Sequence, residues 1–317
     1  MMHAESTHPL ESEPARCVVC EGNGWSFLRE GPDLQLPDGH PSFQLSRCQT
    51  CGHIAQIPPP SDEQLRRAYS AQYAPYLPAW KEPGWPLWKI LREITTWRRI
   101  SRLKKHGKGK RLLEVGAGAG DFLYAAQRAG WEVKAIEYSE DLVRILREEL
   151  GLDVRSGELA PGLWEEGSFD LVVFWSVLEH VRNPVATLIT AAAYLRPGGA
   201  VFLQLPTRDG VEQGNWFSGE WALLDLPRHL NFFGEGSLAV LCDRVGFDLA
   251  VFKTPLTDVA WCYVMSSLNR AKHIQSLPKR YLCFATLMII VVLSLPWLAM
   301  KAWRGHGTEA FVVAIKR

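Results

Sequence analysis

The chain of 317 residues lacks any bias of charge: 35 Lys and Arg stand against 34 Asp and Glu, a formal net charge of +1. Without a basic excess, an arginine-rich arm or a stacking module, nucleic acid is not expected as substrate or partner. The first sixteen residues are polar and lack the positive start and apolar core of a secretory leader, so a reducing, cytoplasmic setting is expected. Acid is missing altogether from residues 259–308. What is present in quantity is apolar residue, 47% of the chain, enough for one large globular domain with appendages.

Seven cysteines are present, and four of them form Cys17-x-x-Cys20 and Cys48-x-x-Cys51 around a loop rich in Gly, Pro and Asp. Each CxxC turn can converge two thiolates on one tetrahedral ion, and a small segment that buries little apolar surface gains folding energy from the metal. The expectation is a structural Zn2+ ribbon closed by Cys17, Cys20, Cys48 and Cys51, with disulfides as the alternative that a reducing setting disfavours. His53 reads as a bystander, and Cys242, Cys262 and Cys283 as small buried apolar residues.

The segment Leu112-Leu113-Glu114-Val115-Gly116-Ala117-Gly118-Ala119-Gly120-Asp121-Phe122 reads as a buried strand, a glycine turn and a helix start. Glycines at 116, 118 and 120 let backbone approach a nucleotide, and Asp121 is expected to N-cap the helix and to belong with the cofactor-binding residues. About twenty residues on, Glu137 closes a strand-like run where an acid can accept hydrogen bonds from ribose hydroxyls. Both NAD and S-adenosylmethionine fit these features.

LLEVGAGAGDFL, WEVKAIEYSE, SFDLVVFWSVLEHVRNP, LRPGGAVFLQLP and DLPRHLNFFGEGSL follow one another in an order and spacing that closely resembles the class I S-adenosylmethionine-dependent methyltransferases, in the branch with a zinc-binding N-terminus. The resemblance covers residues 17–257 and the final strand. It implies S-adenosyl-L-methionine as cofactor, with Glu114, Gly116, Gly118 and Gly120 lining its methionyl side, Glu137 on the ribose and the end of the fourth strand, at Trp175, beside the sulfonium. Many members carry Asp after the third strand for the adenine amino group. This chain reads Asp153-Val154-Arg155-Ser156-Gly157-Glu158, which leaves Glu158 as the candidate.

Strand patterns near 111–115, 131–137, 152–155, 169–175 and 200–205 alternate with helix patterns near 121–129, 139–150, 184–195 and 236–245. Such alternation predicts an α/β, doubly wound, Rossmann-like sheet with ligands at the carboxyl ends of its strands. The resemblance implies seven strands, the last antiparallel at 310–315. An amphipathic pattern over 87–103 predicts a helix on the sheet or over the cofactor pocket. The expected units are a disordered 1–16, a zinc-ribbon-like 17–60, a helical linker or cap at 61–109, the methyltransferase core at 110–257, an apolar helical insertion at 258–308 and the final strand at 309–317.

Methyl transfer from a sulfonium is an in-line displacement that chiefly needs positioning, and a hydroxyl acceptor adds the need for a general base. His180, just after the fourth strand, and His229, in Pro227-Arg228-His229-Leu230, are the candidates; the resemblance implies His at both. His229 is favoured, among Trp216, Trp221, Phe232 and Phe233, which would form an apolar acceptor pocket or an ordinary aromatic core.

Residues 282–300 are almost continuously apolar, and Arg270, Lys272, Lys279, Arg280, Lys301 and Arg304 flank them. A re-entrant or in-plane helix at the inner face of the cytoplasmic membrane, or a lid over a greasy acceptor, is expected in preference to a span, with a buried accessory helix as the alternative. The reading is O-methylation of a small or lipid-linked acceptor. Sugar C-methylation, a non-catalytic zinc-ribbon adaptor and a nicotinamide oxidoreductase are the alternatives.

Overall fold

The structure is a computed structural model that describes residues 16–33, 42–69, 86–213, 221, 223–256 and 277–317. The cysteine segment contributes β1 (Trp25–Pro32), β2 (Ser42–Cys48) and β3 (Ile54–Gln56), followed by α1 (Asp62–Ala68) and α2 (Pro86–His106). Ser61 caps α1, in a reciprocal box with Gln64 that satisfies two orphan N–H groups.

A seven-stranded sheet follows, built from β4 (Arg111–Val115), β5 (Glu132–Glu137), β6 (Val154–Ser156), β7 (Phe169–Trp175), β8 (Leu195–Pro206), β10 (Phe247–Lys253) and β11 (Glu309–Lys316). Its order is β10-β11-β8-β7-β4-β5-β6. The strands from β4 to β8 pair in parallel, while β11 runs antiparallel between β8 and β10. This is the doubly wound, Rossmann-like methyltransferase sheet, with the switch in strand order between β4 and β7.

The interleaved helices are α3 (Asp121–Arg128), α4 (Glu140–Leu150), α5 (Pro184–Tyr194), α6 (Arg208–Gln213) and α7 (Glu235–Arg244). Both faces of the sheet are covered, so its central strands read as nearly continuous apolar runs, interrupted by Glu114 in β4 and Asp170 in β7, and all seven residues of β7 are buried. The period of two still sorts them. Val172, Phe174, Val201 and Leu203 belong to one core layer, whereas Leu171, Val173, Ala200 and Phe202 belong to the other.

One boundary differs from the expected 200–205. β8 starts at Leu195, opposite Phe169, and regular pairing resumes only at Ala200 opposite Leu171. Arg196-Pro197-Gly198-Gly199 bulges out between them, a proline and two glycines hiding a strand start from a propensity reading.

The cysteine segment does not fold over its own core. A two-residue strand, β9 (Asn231–Phe232), pairs with β3 through Ile54 and Ala55 to make a second sheet of order β1-β2-β3-β9. Cys17, Val19 and Cys48 lie in the same apolar cluster as Phe233, Leu238 and Leu241.

Between β10 and β11 stands α8 (Leu277–Trp303), which continues through Pro296. Leu298 and Ala302 pack on Leu256, and the Thr254 hydroxyl donates to the Ala302 carbonyl at 2.8 Å. Further toward its start, Leu282, Ile289, Val292 and Leu293 are 69%, 59%, 61% and 75% exposed. Among the described residues no helix is long and apolar enough to cross a membrane. Arg270, Lys272 and Cys262 lie outside the described residues.

Candidate active site

At the carboxyl end of β4 the chain turns through Gly116, Gly118 and Gly120, all at positive φ. Gly116 N–H donates to Ile136 O at 2.8 Å, tying the turn to the neighbouring strand. Glu137, at the end of β5, then binds the turn directly. One of its carboxylate oxygens accepts from Gly118 N–H at 2.8 Å, the other from Ser139 N–H at 3.0 Å. Gly120 is held at φ 79°, and a Cβ there would also lie 2.2 Å from Leu146 Cδ2, so backbone conformation and packing both favour glycine; a Cβ on Gly118 would meet nothing within 4 Å. The middle of the loop therefore faces open space, with a carboxylate beside it.

Glu114 is buried under this loop, and its Oε2 has no hydrogen-bond partner. Burial raises its carboxyl well above the ordinary range, opposed by Arg99. Arg99, from α2, sits 5.0 Å above the Trp175 ring and its Nε donates to Gln204 Oε1 at 3.2 Å. Trp175 meets Phe122 edge-on at 5.2 Å. Glu158 is exposed just beyond β6, at the same end of the sheet.

Asp121 is not the cap the sequence suggested. Gly120, at φ 79°, holds that position with no side-chain bond, and Asp121 is the first helical residue. Its carboxylate instead accepts from Arg92 Nε at 2.8 Å, an α2 partner that local sequence cannot reveal. Arg92 and Arg99 place α2 over the carboxyl ends of the central strands.

β7 ends in Ser176, held at φ 58° in a region that non-glycine residues seldom adopt. The chain then passes Val177 into a 3₁₀ turn, Leu178–His180. Val177 is so close to the glycine loop that a Cβ on Gly116 would come within 2.6 Å of its Cγ2. Leu230 N–H donates to Glu179 O at 2.8 Å and Asn231 Nδ2 to Val181 O at 2.7 Å, so the 228–231 segment is stitched onto this turn.

The two candidate histidines are thereby brought together, their ring centroids 4.7 Å apart. His229 Nδ1 donates to Leu223 O at 2.7 Å, and its Nε2 lies 3.9 Å from Asp225 Oδ2. His180 Nδ1 donates to Arg228 O at 3.1 Å and lies 2.8 Å from the Tyr69 hydroxyl. Burial, reinforced by the neighbouring His229, lowers His180 to about 3. Burial also lowers His229, with Asp225 opposing. Both rings are neutral at physiological pH.

Arg228 is fully buried and fastens the segment, donating to Asp33 Oδ1 at 2.9 Å and Asp225 Oδ1 at 2.8 Å. Trp221, Phe232 and Phe233 are fully buried core residues rather than walls of an open pocket; Trp216 lies outside the described residues. Asp225, Arg228, Asn231, Arg92, Arg99 and Tyr69 were not found by sequence reasoning, although Asp225-Leu226-Pro227-Arg228 adjoins His229 and carried a readable charge pair.

Cys17, Cys20, Cys48 and Cys51 form a group whose sulfurs all lie within 4.8 Å of one another, close enough to share an ion. The Cys51 thiol hydrogen bond lowers Cys17 to about 4 and raises Cys51 itself. His53 is outside this group. It is fully buried against Phe233, with Nε2 3.1 Å from Asn231 Oδ1.

A methyltransferase-domain family model matches residues 88–250, half of the chain. The chain is 31% identical to a ubiquinone biosynthesis O-methyltransferase of Aromatoleum aromaticum over 166 residues, 48% of this chain and 71% of that protein. It is 37% identical to the protein of the same name from Ralstonia nicotianae over 164 residues, 47% and 69%. With the one from Xanthomonas campestris it shares 106 residues at 36% identity, 32% of this chain and less than half, 44%, of that protein. The solved structure of a SAM-dependent methyltransferase from Archaeoglobus fulgidus aligns at 14% identity over 71% of this chain and 94% of that one, with a TM-score of 0.46. With its glycine loop facing open space beside Glu137, and with that family match, the chain belongs to the methyltransferase domain family and is a class I S-adenosylmethionine-dependent methyltransferase.

Proposed function

We propose that this enzyme methylates a hydroxyl oxygen on a small or lipid-linked acceptor. The observation that carries the reading is the packing of Val177 on Gly116, which sets the His180–His229 pair against the cofactor loop. The curated relatives, named as ubiquinone biosynthesis O-methyltransferases, point the same way.

S-adenosylmethionine, when bound, supplies an electrophilic methyl on a sulfonium. Glu137 holds the ribose hydroxyls with its carboxylate, already anchored by two backbone N–H groups. The loop from Gly116 to Gly120, with Glu114 behind it and Asp121 at its exit, lines the methionyl side; Trp175 lies beside the sulfonium and Glu158 on the adenine side. His229 acts as the base. Its Nδ1 proton is committed to Leu223 O, so Nε2 keeps a lone pair, and Asp225 lies where it steadies the imidazolium that forms. His180 packs against it and fixes its plane. Cys17, Cys20, Cys48 and Cys51 hold a structural zinc, and the exposed apolar side of α8 rests on the inner face of the cytoplasmic membrane, where a lipid-linked acceptor is presented.

Calorimetry tests the cofactor side: the chain binds S-adenosylmethionine and its demethylated product but not NAD, and Glu137→Ala weakens binding by about 2 kcal/mol. Unchanged affinity in that variant removes Glu137 from the ribose. Incubation with labelled S-adenosylmethionine and a membrane lipid extract tests the acceptor side. Label on carbon or nitrogen, in place of a methyl ether, defeats the O-methyl reading.

A further inference from the structure

Glu179 is the least explained residue of the site. It is fully buried, and neither of its carboxylate oxygens has a hydrogen-bond partner. A buried carboxyl without donors is among the costliest arrangements a core can hold, and it calls for a counter-charge. Two imidazoles stand next to it. The ligand atoms that Glu179, His180 and His229 offer all lie within 4.8 Å of one another.

The histidines are oriented as metal-binding histidines are. Each directs Nδ1 at a backbone carbonyl, Leu223 O at 2.7 Å for His229 and Arg228 O at 3.1 Å for His180. A carbonyl only accepts, so His229 carries its proton on Nδ1 and its Nε2 presents a lone pair; in His180 the Tyr69 hydroxyl, 2.8 Å from Nδ1, serves as a second acceptor for the proton shared with Arg228 O, which leaves that Nε2 with a lone pair as well. Such an outer bond fixes the tautomer and raises the basicity of the ligating nitrogen.

We propose that Glu179, His180 and His229 form a metal site separate from the four cysteines, taking one divalent first-row transition ion through a carboxylate oxygen and two imidazole nitrogens. Such a donor set suits manganese, iron, cobalt or zinc better than magnesium or calcium. Metal–ligand bonds of about 2.1 Å leave the ligands roughly 3 Å apart, so loading draws the three side chains together by about 1–2 Å. Three protein ligands leave coordination positions open. An acceptor hydroxyl in one of them loses its proton to water, and its oxygen lone pair forms the new C–O bond as the methyl C–S bond breaks and the neutral thioether departs. The ion then takes over the deprotonation otherwise assigned to His229. That consequence rests on the O-methyl reading, whereas the metal site itself does not.

Manganese is the probe, because Mn2+ prefers nitrogen and oxygen donors and leaves the thiolates to zinc. The full chain, with its cysteine site loaded, is titrated with Mn2+ and followed by electron paramagnetic resonance. One saturable Mn2+ per chain is expected, with affinity falling at least tenfold in Glu179→Gln and in His229→Gln while zinc content stays unchanged. Pulsed spectra of the wild-type complex, which need no variant to fold, should show two imidazole nitrogen couplings. No saturable site, no nitrogen coupling, or equal affinity in folded variants overturns the proposal. Mn2+ binding without any ether product leaves the metal site standing and defeats the O-methyl reading instead.

Discussion

Asp170 shows how one side chain can hold several segments. It is the second residue of β7 and accepts from Lys110 N–H and Arg111 N–H, both at 2.9 Å, from Arg111 Nη2 at 3.1 Å and from Arg196 Nε at 2.6 Å. Burial alone would raise this carboxyl, but the Arg111 and Arg196 hydrogen bonds hold it well below the usual carboxylate range. A depressed carboxyl contributes stability above its unfolded pKa near 4 and loses it as pH falls through the folded value. Asp170→Asn should therefore cost about 2 kcal/mol at pH 7, and denaturant titrations of the two proteins should converge as pH drops below 4. A gap that persists in strong acid would place the effect in packing. Gly118→Val is expected to lose cofactor binding, because its side chain enters the open space of the loop and a branched residue at φ 53° strains the turn; calorimetry beside a thermal melt separates lost binding from lost fold.

Elements differ in how far the sequence exposed them. The glycine turn, Glu137 and the strands of the sheet were legible because each is a local pattern of spacing or periodicity. Asp121 was misread because a left-handed glycine can occupy the cap position while the acid is drawn to Arg92, a partner on another helix. β9 could not be read at all: two residues long, it exists only because Ile54 and Ala55 offer it an edge. The same holds for Tyr69 on His180 and Asp33 on Arg228, contacts between distant segments that leave no trace in local composition.

For α8, an almost continuous apolar run located a helix, and its exposed Leu282, Ile289, Val292 and Leu293 now identify what a bilayer would bury. Replacing Ile289 and Leu293 together by Ser should lower co-sedimentation with anionic vesicles at least tenfold, each buried aliphatic side chain being worth about 1.5–3 kcal/mol. Cofactor affinity should not change. Equal sedimentation of the variant would remove this face from membrane contact.

For the whole molecule, the cysteine group and the histidine pair are joined by a short path. His53 follows the second knuckle and touches Asn231, Asn231 donates to Val181, and Val181 adjoins His180. Stripping the proposed zinc from the cysteines should therefore lower the melting temperature and slow methyl transfer, while affinity for S-adenosylmethionine, set on the far side of β4, remains. Elemental analysis before and after chelation, with turnover and calorimetry on the same samples, checks all three. A chelated protein with normal turnover would show the knuckles to be independent of the site.

The place of β11 in the sheet also governs how the molecule is made. Its two neighbours, β8 and β10, leave the ribosome before it, and α8 is translated in between. At about 5–20 residues per second, the stretch from Lys253 to Lys316 takes several seconds to emerge. Throughout that interval β10 has no strand to pair with and β8 has one open edge, both carrying the apolar residues that later close the core. The nascent chain thus waits with an unfinished sheet beside an apolar helix, a state in which chaperone contact can begin before the fold is complete.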